Sequence, residues 1–155
     1  MHMHTAEVVW NRGSQAFIDG RYSRCHSILL DGGLVIPGSS SPFVVPEPLS
    51  DPAGLDPEEA FVASLSGCHM LWFLSIAAAC EFCVDSYSDR AEGVMSRNAT
   101  GKLFVSVVTL RPQVIFSPLR KPTEAEFPDM HHRAHEECFI ANSVMTEVRC
   151  EPFRM

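Results

Sequence analysis

Six cysteines, at positions 25, 68, 80, 83, 138 and 150, and a histidine group at 131, 132 and 135 are the residues best suited to chemistry. Cys68 lies in "DPEEAFVASLSGCHML", which opens like a surface helix and then turns almost entirely apolar, and on an apolar helix a cysteine most often packs as a small hydrophobe. To act as a nucleophile it needs a neighbour that favours the thiolate: a cation, a base or a helix N-terminus. The helix dipole fades within the first turn, and Cys68 sits well beyond it. His69 points about 100° away around the helix, which makes it a poor base for its neighbour. An activating cation must therefore come from elsewhere in the chain.

Metal binding is the second chemistry to weigh. Cys80-Glu-Phe-Cys83 is a CxxC, and His131 with His135 an HxxxH, so together they offer a Cys2His2 zinc set. No second CxxC is present, and 47 residues separate Cys83 from His131. A thioredoxin-type CxxC should open a helix, whereas this one closes a helix and runs into a strand. Packing is the expected role of Cys80 and Cys83, and a solvated helix face that of the histidines.

A chain of 155 residues suits one domain, residues 1–155, because a chain of this size buries roughly 70% of its unfolded surface. A formal charge of −7 argues against nucleic acid and against an anionic membrane surface. The N-terminus lacks a basic segment followed by an apolar one, so no signal peptide is expected. The cysteines then belong in a reducing, cytoplasmic setting, as thiols or redox groups. Ala60 to Cys80 is long enough to cross a bilayer, but polar residues interrupt it and basic flanks are missing. A buried core helix is the expectation.

The elements that must position these residues follow from local signals. Short strands are expected at Ala6 to Arg12 and Arg24 to Leu30, with a weaker one at Leu34 to Ile36. A Pro/Ser-rich loop then leads to a helix over Pro57–Glu81, with Asp56 as N-cap and Glu59 completing a capping box. Val84 to Met95 and Leu103 to Ser117 read as two longer strands joined by a turn. A second helix is expected over Thr123–Ala141, with Pro128 within its first turns a point where it can split. Val144 to Cys150 alternates as a closing strand. The order is mixed, so the class is α+β.

Three segments read together resemble the OsmC/Ohr family of thiol-dependent peroxidases: "DPEEAFVASLSGCHMLWFL", "VDSYSDRAEGVM" and "AHEECFIANSV". "YSRCHSILLDGGLVIPGSSSP" is similar to the N-terminal part of an OsmC-like branch, and the likeness runs from about Trp10 to Pro152. The resemblance implies an OsmC-like fold, with antiparallel sheets around a long buried central helix in an intertwined homodimer. It implies a reactive Cys68, a resolving Cys138, and Glu58 holding an arginine, with Arg24 ahead of Arg21 for that place. Ten helical residues span about 15 Å, so Glu58 does not reach Cys68 of its own helix, and a site at a subunit boundary is the favoured arrangement.

The implied activity is reduction of organic hydroperoxides to alcohols through a Cys68 sulfenic acid and a Cys68–Cys138 disulfide. Phe61, Met70, Trp72 and Phe139 are candidate pocket walls. No cofactor is expected beyond an external dithiol reductant, such as a lipoylated protein. The alternatives are a non-catalytic dimer of the same fold that binds a small apolar ligand or senses redox state, and a small zinc protein.

Overall fold

The computed structural model describes residues 2–154. The chain divides into two units, residues 1–60 and 61–155. In the first unit, β1 (Ala6–Val9), β2 (His26–Leu30) and β3 (Val35–Gly38) form an antiparallel meander. Gly33, at φ 85°, closes the β2–β3 hairpin in a conformation that only glycine adopts without strain. Asp56 caps the helix α1 (Pro57–Ala79) as expected. Its carboxylate accepts the Glu59 N–H at 2.7 Å, and Glu59 Oε2 accepts the Asp56 N–H at 3.4 Å.

The helix stops at Ala79, two residues before the expected Glu81. Glu81 takes a left-handed φ of 62°, and the Phe82 N–H reaches back to the Ala77 carbonyl, a C-terminal closure usually given to glycine. Along α1, Leu65, His69, Phe73, Ile76 and Ala77 are buried at helical spacing, while Ser64, Leu71 and Ser75 face outward. By length and composition α1 matches a bilayer span, yet its inner stripe is packed into the protein core.

The rest of the second unit is built on one long hairpin. The expected strand Val84 to Met95 is two, β4 (Val84–Asp89) and β5 (Glu92–Arg97), and Leu103 to Ser117 is likewise β6 (Leu103–Leu110) and β7 (Pro112–Phe116). The pairing register runs on through the break, from Asp89↔Pro112 to Glu92↔Thr109. Asp89 holds the bend: it accepts the Arg111 N–H at 2.6 Å and the Ser66 hydroxyl of α1. The two halves therefore enter different sheets, β4-β7-β9 and β5-β6-β8, with β8 (Glu147–Cys150) and β9 (Phe153–Arg154) added in parallel.

The second helix, α2, covers Glu126–Glu137 rather than Thr123–Ala141. Thr123 and Glu126 do form a capping box, one turn ahead of the regular helix. Cys138 ends α2 in an extended conformation, and a short 3-10 turn follows at Ala141–Ser143. Phe127, Met130, His131, Ala134 and Cys138 form the inner stripe of α2, and Phe127, Met130 and Ala134 share one core with Phe73, Ile76 and Phe116. The architecture is α+β.

Candidate active site

Cys68 is half-buried on α1, and Cys138 is fully buried where α2 ends; both are free thiols. They adjoin each other. Burial pushes the Cys138 thiol up to about 11, and its interaction with Cys68 is the next largest cause. Opposing both, the Ala141 N–H points at Cys138 Sγ from 3.4 Å, and the Ile140 N–H acts in the same sense. These backbone donors await negative charge on the sulfur. Trp72 follows Cys68 by one helical turn, Phe139 follows Cys138 directly, and their rings meet edge to face at 5.5 Å. Of the four expected walls, this aromatic pair flanks the cysteines, and Phe61 packs instead against the Leu65–Val108–Leu110 core.

Arg24 and Glu58 belong to the first unit. The Arg24 guanidinium bonds the Gly20 carbonyl at 2.9 Å and the Tyr22 carbonyl, and lies 3.7 Å over the Tyr22 ring. Among the described residues it forms no ion pair, with Glu58 or any other acid. The chain therefore does not bring Arg24 and Glu58 together by itself. Arg21 is exposed, and its backbone N–H is held by Asp19.

Of the histidines, His131 departs from the solvated helix face. His132 is exposed and lies 3.4 Å from Glu136, but His131 is buried on the inner stripe of α2. There it meets His69, Nε2 to Nδ1 at 3.0 Å, and Cys150 Sγ lies 3.6 Å and 3.8 Å from those two nitrogens. Burial brings His69 down to about 4 and His131 to about 3, so both imidazoles are neutral at pH 7. Cys150 is pushed up to about 12 by burial and then by the Asp89 and Glu151 carboxylates. Cys80 and Cys83 take no part in this cluster. Cys80 packs beside the core with Arg133 3.7 Å from its sulfur, and Cys83 is exposed.

The profile of the OsmC-like protein family matches residues 50–152. An OsmC-like protein of unknown function from Vibrio cholerae is 56% identical, with a TM-score of 0.97 over 99% of this chain and 100% of its own. An organic hydroperoxide resistance protein from Elizabethkingia anophelis shares the fold at 14% identity, with a TM-score of 0.71 over 99% of this chain and 96% of its own. The organic hydroperoxide resistance protein OhrB of Bacillus subtilis does so at 14% and 0.65, over 99% and 98%. No curated protein matches the chain. With two thirds of its length inside the family profile and a full-length relative at 56% identity, the chain belongs to the OsmC-like protein family.

Proposed function

We propose that this protein is a thiol-dependent peroxidase that reduces organic hydroperoxides to alcohols. The observation that carries the reading is the adjacency of Cys68 and Cys138, two free thiols, one half-open on α1 and one buried at the end of α2. Two structural relatives named for organic hydroperoxide resistance support the same substrate class.

In this reading the Cys68 thiolate attacks the distal peroxide oxygen. An S–O bond forms, the O–O bond breaks, and the departing alkoxide takes a proton to leave as alcohol. The Cys138 sulfur then attacks the Cys68 sulfenic acid, forming the disulfide and releasing water. An external dithiol, such as a lipoylated protein, restores both thiols by two exchange steps and is itself oxidised to a disulfide. Cys138 leaves as thiolate in that reduction, and the Ala141 and Ile140 N–H groups are placed to receive the charge. The aromatic edge of Trp72 and Phe139 favours an apolar peroxide tail. Arg24 is the guanidinium assigned to Cys68, ahead of Arg21, with Glu58 as its holder. The setting is the cytoplasm, and the working form a homodimer whose sites lie at the subunit boundary.

The test is hydroperoxide-dependent oxidation of dihydrolipoamide. Wild type should turn over, and Cys68→Ser should lose at least about a thousandfold in rate, as expected for removal of a nucleophile. Cys138→Ser should consume one peroxide and stall with Cys68 as sulfenic acid, trapped by a dimedone-type reagent. Arg24→Met should slow the first step while leaving the resolving step intact. Equal turnover by wild type and Cys68→Ser would show that the chemistry lies elsewhere.

A further inference from the structure

The His69–His131–Cys150 cluster has no part in the peroxidase chemistry. Three elements of the second unit supply it: α1, α2 and β8. Its three donor atoms lie within 4.8 Å of one another. Hydrogen bonding accounts for little of this convergence. The His69 and His131 rings are parallel to within 3°, with centroids 5.3 Å apart and facing nitrogens at 3.0 Å, so the two nitrogens share one in-line N–H···N bond. The outer nitrogens, His69 Nδ1 and His131 Nε2, are buried with no partner among the described residues. A single bond is thus set against two desolvated imidazoles.

We propose that His69 Nε2, His131 Nδ1 and Cys150 Sγ are three ligands of a transition-metal site of the zinc class, its fourth position open to the adjoining pocket. In a tetrahedral zinc site, bonds of about 2.0–2.1 Å to nitrogen and about 2.3 Å to sulfur place neighbouring ligand atoms about 3.3–3.6 Å apart. The observed separations are 3.0, 3.6 and 3.8 Å, so one ion fits with ligand shifts of a few tenths of an ångström. Each imidazole also swings by about 35–40°, so that its lone pair points at the metal rather than at the other ring. On binding, the Cys150 thiol proton leaves to solvent, and the proton between the rings moves to the outer nitrogen of the ring that carried it, so that each neutral histidine bears its one proton on its outer nitrogen.

The surroundings suit a cation. A pocket of about 260 Å³ opens onto two of the three ligands, His131 and Cys150, and carries His132 and His135 on its wall. His135 stands one helical turn beyond His131, where it or a water can complete the coordination. Asp89 and Glu151 add negative charge near Cys150. A mixed nitrogen and sulfur set selects zinc-class ions over magnesium or calcium, which take oxygen ligands.

The experiment uses the full chain, stripped with a chelator and reloaded. Cobalt(II) should give a thiolate-to-metal charge-transfer band and the intense visible bands of tetrahedral coordination, at one ion per chain. These should vanish in Cys150→Ser and His131→Asn but persist in the Cys68→Ser/Cys138→Ser double variant. In competition with a chromogenic chelator, zinc should bind wild type at least about 100-fold tighter than either cluster variant. Circular dichroism of the stripped proteins checks that the variants fold. If they do not, wild type still decides the matter, because zinc must raise its melting temperature with one-to-one stoichiometry. A wild-type spectrum without a thiolate band overturns the proposal. So does a band that follows Cys68 and Cys138, or zinc affinity unchanged by Cys150→Ser, which is the result expected if His2 and His4 bind the ion.

Discussion

Cys138 is held as a thiol by its surroundings, and the consequence for stability has a definite sign. Its folded value of about 11 lies above the ordinary 9.0, chiefly through burial and then through Cys68. A group raised in the folded state contributes stability that is complete below the unfolded value and is lost as pH rises through the folded one. The urea midpoint of wild type should therefore fall between pH 9 and 11 more steeply than that of Cys138→Ala; parallel pH profiles would mean that Cys138 titrates normally. At this scale the sequence was readable where a motif marked which residues come together and misleading where placement depended on direction. Cys68 and Cys138 stand as a motif pair, and the structure places them side by side. His131, His132 and His135 were read as one solvated face, although consecutive residues on a helix point about 100° apart. The spacing Phe127, Met130, His131, Ala134 already marked His131 as inward. Its meeting with His69 and Cys150 was hidden, because it needs three elements far apart in the chain to pack together.

The same contrast holds for the elements. Local chemistry announced the start of α1, and both bonds of the Asp56–Glu59 capping box are present. Its end was less readable, since a left-handed Glu81 occupies the place where a glycine would have signalled a stop. The breaks in the long hairpin carried only local signs, the polar run Asp89-Arg90-Ala91-Glu92-Gly93 on one arm and Arg111-Pro112 on the other, and the corner is set by a tertiary bond from the Arg111 N–H to Asp89. Gly93 shows how tightly α1 then rests on β5. A Cβ added there would stand 2.7 Å from Val62 Cγ2, so the helix or the side chain must yield. Gly93→Ala should lower stability by about 1–2 kcal/mol, in the range of modest overpacking, and Gly93→Val by more. Thermal or urea unfolding measures this, and the double variant Gly93→Ala/Val62→Ala should recover part of the loss. A neutral Gly93→Ala would mean that the helix shifts at little cost.

For the whole molecule, composition and element order were enough to give the α+β class, and the motifs gave the family. Assembly rests on a different kind of argument. Helix α1 is apolar nearly all round, yet only one stripe of it is buried in the single chain, and Leu71 on the opposite side remains 65% exposed. Burying one leucine side chain fully is worth about 1.5–3 kcal/mol, so an exposed leucine on a helix otherwise built for an interior is a reason to expect a cover. A second copy of this chain is the expected cover, and in the same arrangement Glu58 and the arginine of one chain would serve Cys68 of the other. Light scattering on the purified protein should then give twice the chain mass of 17.2 kDa. Leu71→Asp should shift that mass toward the monomer at micromolar concentration, because it places a charge where an apolar contact is needed. The hydroperoxide assay separates the two roles of assembly. If the arginine that serves Cys68 comes from the partner, turnover per chain should fall in proportion to the dimer fraction as Leu71→Asp is diluted. A Leu71→Asp protein that is monomeric and fully active would place the whole site within one chain.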